Sequence, residues 1–245
     1  VYELNEVFHI MYGNTPMESD FEIVSVKAEH RSGTLWSHYD TIEGSSGNVW
    51  VHTQIRFEIT SKNMQHGGSL QERFFYSVDG IGDMEDEEKQ WHPATENIVV
   101  LEQNLDGPVH FKVTDQNGQY QSYYTQDQMG NPIYVKMDIV EPEFSVDAKS
   151  TKWENGELVE YTYNSNFWTY NSVTFIITPT AQCISPVSYE YSIDGGAWTP
   201  LTKSPNGDYY ILVRERKTDK IEFKAYNSAL LEYRPAGSYS AKIDI

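Results

Sequence analysis

Glu190-Tyr191-Ser192-Ile193-Asp194-Gly195 repeats Phe75-Tyr76-Ser77-Val78-Asp79-Gly80, and matching segments stand at matching places on either side of each. Upstream, Trp50 and Ile55-Arg56-Phe57-Glu58-Ile59-Thr60 correspond to Trp168 and Val173-Thr174-Phe175-Ile176-Ile177-Thr178. Downstream, Trp91-His92-Pro93 corresponds to Trp198-Thr199-Pro200, Phe111-Lys112 to Phe223-Lys224, and Val135 to Ile139 to Ala241 to Ile245. The offset drifts from roughly 118 to roughly 106 residues, so the copies differ by loop insertions within one frame. The pattern is a tandem duplication of a domain.

Each copy is rich in short segments that alternate with period two, the signature of half-buried strands. In the first copy they are 21–27, 53–60, 72–78, 97–102, 109–114, 119–125 and 132–140. In the second they are 144–148, 172–178, 188–193, 209–214, 221–226, 230–233 and 239–245. Turn residues such as Asn117-Gly118, Gly195-Gly196 and Pro205-Asn206-Gly207 separate them. About seven short antiparallel strands per copy, closed by frequent turns, predict an all-β fold of two tandem immunoglobulin-like β-sandwiches. Alternation places Ile55, Phe57 and Ile59 on one face and Val173, Phe175 and Ile177 on its equivalent. Burying three such side chains contributes on the order of 5 to 8 kcal/mol before chain entropy is counted. The expected division is an N-terminal extension at 1–20 that adds a strand, a first domain at 21–140 and a second at 141–245. Val140-Glu141-Pro142-Glu143 reads as a semi-rigid linker, because proline ends the ladder and fixes φ.

Composition narrows the function classes. A formal charge of -18 and a pI near 4.7 oppose contact with phosphate backbones and anionic lipid. A mean hydropathy of -0.58 and the lack of a long apolar run oppose membrane insertion by this segment. The one cysteine, Cys183, rules out an internal disulfide, so the core alone holds each domain. Val1 to Tyr12 lacks a basic start followed by an apolar stretch, and the expectation is a mature fragment or an excised piece of a longer chain.

The segment Phe167-Trp168-Thr169-Tyr170-Asn171-Ser172-Val173-Thr174, followed by Tyr189 to Pro200, resembles the bacterial immunoglobulin-like repeats of large surface and secreted proteins. In those repeats a W-T-x-x-x-V-T strand precedes a Y-S-x-D-G-G-x-W hairpin. The resemblance covers most of 150–245 and is looser in the first copy, where Ile81 to Gln90 is inserted before Trp91. It implies a non-catalytic spacer or adhesion module, extracellular or on the cell surface, with a glycan or protein ligand as partner. It brings no catalytic residues. The Asp-box of sialidases is a poorer match, since Ser192 to Trp198 is one residue short and propeller blades recur every 40 to 50 residues or so.

Physically, Asp194-Gly195 suits a tight turn with two positive φ values, from which the tryptophan packs back across the strands. Two other features are candidate sites. Asp83, Glu85, Asp86 and Glu87 concentrate carboxylates in the first-copy insertion and are the candidate Ca²⁺ ligands, although the ordered calcium-loop pattern is missing and a solvated acidic tip is the favoured reading. Tyr161, Tyr163, Trp168 and Tyr170 are candidates for stacking on sugar rings, as in a carbohydrate-binding accessory module of a larger secreted enzyme. Strand alternation favours packing over exposure for several of these rings, and for Tyr120, Tyr123 and Tyr124. The seven histidines, at 9, 30, 38, 52, 66, 92 and 110, show no paired metal spacing, and no nucleophile elbow or phosphate loop is present.

Overall fold

The computed structural model describes residues 21–65, 70–78, 90–126, 129–205, 207–214 and 217–244. These form two compact units, one of residues 21–49 and Thr53–Met137, the other of Trp50–His52 and Asp138 onward. The expected strand at 1–20 lies outside the described residues.

The first unit contains β1 (Ile23–Ser32), β2 (Leu35–His38), β3 (Ile55–Ser61), β4 (Glu72–Ser77), β5 (His92–Pro93), β6 (Ile98–Leu101), β7 (Leu105–Pro108), β8 (His110–Asp115), β9 (Gln121–Tyr124) and β10 (Tyr134–Met137). A one-turn helix, α1 (Lys62–Gln65), follows β3. The second contains β11 (Phe144–Glu154), β12 (Glu157–Thr162), β13 (Val173–Pro179), β14 (Val187–Ile193), β15 (Thr199–Pro200), β16 (Thr202–Lys203), β17 (Tyr209–Val213), β18 (Lys217–Asn227), β19 (Glu232–Tyr233) and β20 (Tyr239–Lys242). The fold is all-β, and every ladder between these strands is antiparallel.

The duplication in the sequence is a duplication of topology. One sheet of the first unit runs β2-β1-β3-β6, and its counterpart runs β12-β11-β13-β17-β16. The other runs β5-β4-β8-β9, and its counterpart runs β15-β14-β18-β19, with β20 also on β18. β7 and β8, parted by the single residue Val109, together match the one long strand β18, and β10 pairs with β7 much as β20 pairs with the start of β18. The expectation of about seven strands per copy is exceeded because the short strands β5, β7, β15 and β16 and the hairpin strands β2 and β12 carry weak periodic signals.

In the second unit the inward residues of both sheets meet in one cluster: Phe144, Val173, Phe175, Ile177, Ile211 and Val213 from one sheet, and Tyr189, Ile221, Phe223, Ala225 and Ala241 from the other. Two sheets sharing one apolar core is the arrangement of a β-sandwich. Ile55, Phe57 and Ile59, like Val173, Phe175 and Ile177, are fully buried, as alternation requires. Phe57 and Phe111 pack at 5.1 Å between centroids, and Phe175 and Phe223 repeat that contact at 6.0 Å.

The turn of the second-copy hairpin has the expected geometry. Asp194 and Gly195 have φ of 49° and 76°, and the Asp194 Oδ1 accepts the Lys220 N–H at 2.8 Å. Asp79 and Gly80 lie outside the described residues. The segment read as a linker is held to the second unit: the Val140 carbonyl accepts the Asn227 side-chain amide at 3.1 Å, and buried Asp138 accepts both the N–H and the Oγ–H of Ser185 at 2.9 and 2.6 Å. Among the described residues no helix is long and apolar enough to cross a membrane.

Candidate binding surface

The four aromatic candidates of the second copy separate into two groups. Tyr163 is a core residue, 7% exposed, and Tyr161 is half-buried on β12 opposite Ser150. Trp168 and Tyr170 are 54% and 80% exposed, and Phe167 beside them is 69% exposed. None of these three rings stacks on another aromatic side chain among the described residues.

The buried pair fastens the exposed trio. The Tyr163 hydroxyl donates to the Phe167 carbonyl at 3.3 Å and accepts the Lys242 N–H at 2.8 Å. The Tyr161 hydroxyl donates to Thr169 Oγ1 at 2.9 Å, and Ser150 Oγ lies 3.0 Å from the same oxygen. Thr169, 4% exposed, also bridges to the last strand, its N–H donating to the Lys242 carbonyl at 3.0 Å and its carbonyl accepting the Asp244 N–H at 2.7 Å. The Asn171 side-chain amide closes the loop onto Thr151 O at 2.7 Å. With Thr169 pinned inward, Trp168 and Tyr170 on either side must face out. Burial also pushes the Tyr163 hydroxyl above its ordinary pKa. Sequence reasoning missed Thr169, although the W-T pair marks its position.

The first copy has the same clamp. Tyr39 is 2% exposed, donates its hydroxyl to the Val49 carbonyl at 3.3 Å and accepts the Lys136 N–H at 2.8 Å. The residue it holds is Val49 where the second copy has Phe167, and Trp50, the counterpart of Trp168, is half-buried, so among the described residues the three exposed aromatic side chains side by side are a feature of the second copy.

The hairpin tryptophans Trp91 and Trp198 each stand beside a lysine of the strand opposite. Lys112 Nζ stands 4.6 Å from the Trp91 ring and 5.0 Å from the Phe75 ring, and Lys224 Nζ stands 4.5 Å from the Trp198 ring. Lys224 also pairs with Glu190 at 2.9 Å, at the position where the first copy has Phe75. Desolvation between its rings lowers the Lys112 pKa. Of the other tyrosine candidates, Tyr120 stacks on Phe21 at 5.8 Å and Tyr123 packs on Trp91 at 5.7 Å, while Tyr124 lies opposite Phe111 at the end of the β8–β9 ladder.

The carboxylates read as calcium ligands, Asp83, Glu85, Asp86 and Glu87, lie outside the described residues. Among the described residues no group of three or more His, Cys, Asp and Glu is placed to hold a metal ion. Cys183 is partly buried, donates to Val140 O at 3.3 Å, and has a thiol pKa raised by burial, which suits packing rather than nucleophilic chemistry. Comparison with protein-family models, with curated proteins and with solved structures finds no match.

Proposed function

We propose that the chain is a non-catalytic spacer or adhesion module of a bacterial cell-surface or secreted multidomain protein, made of two tandem immunoglobulin-like sandwiches. The repeated strand order supports the architectural part. In each copy the first and third strands share a sheet with the strand before the long return strand; in the second copy β14, β18 and β20 lie together, and in the first β4 pairs with β8 while β10 pairs with β7 just before it. That grouping resembles the A-B-E and C-F-G sets of the immunoglobulin fold. The residues shared by the copies, Tyr39 and Tyr163, Trp91 and Trp198, Lys112 and Lys224, hold strands and loops together.

The observation that carries the adhesive part is the set of exposed rings at Phe167, Trp168 and Tyr170 on a loop whose backbone is pinned. Large exposed apolar side chains on a rigid support mark contact surfaces, because they bind without first paying to order the loop. A glycan or a protein on a cell surface is the expected partner. The test is binding of the intact chain to an immobilised glycan array and to intact host or bacterial cells, with Trp168→Ala/Tyr170→Ala as control. Binding that disappears in the variant while its thermal melt is unchanged supports adhesion; binding that survives moves the site elsewhere. No binding to any surface leaves the spacer role alone.

A second reading, a carbohydrate-binding accessory module, is favoured by the chemistry of the same trio. Indole and phenol faces pack against the C–H faces of sugar rings, and Trp168 and Tyr170 are both exposed on that loop beside Phe167, with Thr169 turned inward between them. Retention of the chain on insoluble polysaccharide, lost in the same double variant, distinguishes this reading.

A further inference from the structure

We propose that a cavity of about 340 Å³ beside Trp198, on the outer face of the β14–β18 sheet, is a binding site for a neutral saccharide. Its walls include Trp198, Lys220, Glu222, Arg234, Pro235 and Ser238. The volume is in the range of small-ligand sites, and the lining is what a polyol requires. Trp198 and Pro235 supply apolar surface for sugar C–H groups. Arg234 and Lys220 supply donors, Glu222 supplies acceptors and Ser238 supplies both, so each vicinal hydroxyl meets a partner of the opposite kind.

The polar groups are held in place before a ligand arrives. The Arg234 guanidinium stands 5.1 Å from the Trp198 ring and donates through Nε to Glu232 at 2.6 Å, which leaves its Nη groups for a ligand. Lys220 pairs with Glu222 at 2.8 Å, and Lys224, on the same strand face, is neutralised by Glu190. A lining in which every cation has a carboxylate partner gives an anion no net attraction, and the acidic chain repels it at long range. A neutral ligand suffers neither penalty.

Among the described residues the first copy has a different lining at this place. At the positions of Lys220 and Glu222 the first copy has Pro108 and His110, the latter 3% exposed, and its Trp91 packs on Tyr123 where Trp198 meets Arg234. Among the described residues the hairpin tryptophan thus meets a ring in one unit and hydrogen-bonding groups in the other.

The ligand class rests on the carbohydrate-binding reading, but the site is distinct from the Trp168–Tyr170 loop. The experiment is NMR titration of the intact chain with the methyl glycosides of glucose, galactose, mannose, xylose and N-acetylglucosamine, following the Trp198 indole N–H assigned through Trp198→Phe. At least one glycoside is expected to shift that resonance, with Kd raised about tenfold by Arg234→Gln and by Glu222→Gln, the loss of one hydrogen bond to a charged group. Arg234 is exposed and Glu222 is half-buried on the outer face of the sheet, and both variants are expected to melt with the parent. Shifts confined to Trp168 would overturn the cavity and keep the carbohydrate reading; a shift at Trp198 undiminished in both variants would also overturn it. No shift at any tryptophan would overturn both.

Discussion

The Tyr163 hydroxyl accepts the backbone N–H of Lys242 at 2.8 Å, and Tyr39 accepts that of Lys136 at the same distance. One phenol thereby ties the loop before β13 to the last strand, and another does so before β3. Because Val49 and Phe167 are held by the partner bonds of these same hydroxyls, each tyrosine serves two backbone groups that a phenylalanine would leave unmatched. Tyr163→Phe is expected to cost about 1 to 3 kcal/mol, the penalty for unsatisfied buried groups, and Tyr39→Phe about the same. Urea unfolding measures both, and a neutral result for either would show that water replaces the lost bonds.

How far this could be read from the chain is clear from the neighbours of those tyrosines. The copies, the faces of β3 and β13 and the all-β class were legible because apolar alternation and repetition are written in adjacent letters. Tyr163 was legible only as an aromatic, since the backbone N–H its hydroxyl accepts, that of Lys242, is 79 residues away. Thr169 was missed for the same reason. The hairpin of β11 and β12 was missed although its signal is local: Asn155-Gly156 takes φ of 51° and 86°, the geometry of a two-residue hairpin turn. Its flanking residues, Trp153 and Leu158, pair across the strands yet are 73% and 55% exposed, so no one-sided apolar pattern announced the strand.

Turns of this kind set a second expectation. A Cβ added at Gly156 or Gly195 would meet nothing within 4 Å, so Gly→Ala at either site tests backbone conformation alone. Each is expected to lose about 1 kcal/mol, and Gly→Asn to lose less, because asparagine tolerates the left-handed region. Gly196 is the contrast: its added Cβ would stand 3.1 Å from Ile193 O, a steric cost rather than a conformational one. Equal stability of Gly195→Ala and Gly195→Asn in denaturant titration would contradict this account.

The two lysine–tryptophan contacts are expected to differ in their response to salt. Lys224 couples to both Trp198 and Glu190, with its side chain 15% exposed, whereas Lys112 lies between two rings. Double-mutant cycles should give about 0.5 to 1 kcal/mol for Lys112 with Trp91, persisting in high salt. The Lys224–Glu190 cycle should weaken as ionic strength rises, since part of that coupling is between opposite charges near solvent. Identical salt dependence in both cycles would mean that the exchange of Phe75 for Glu190 changes nothing.

Alkaline pH should unfold both units over a defined window. Burial pushes Tyr39 in the first unit and Tyr189 in the second up from 10 to about 12, against the opposing effect of the Lys136 N–H in the first case and reinforced by Tyr209 in the second. The folded state therefore holds these protons more tightly than the unfolded chain. Their contribution is fully present below the unfolded value near pH 10 and is lost as pH rises through about 12. Stability measured in urea is expected to be flat with respect to these groups below that window and to fall across it. The last tyrosinate absorbance should appear together with loss of the β-sheet circular dichroism signal. A smooth titration of all tyrosines near pH 10 with the sheet signal intact would show that Tyr39 and Tyr189 reach solvent without unfolding.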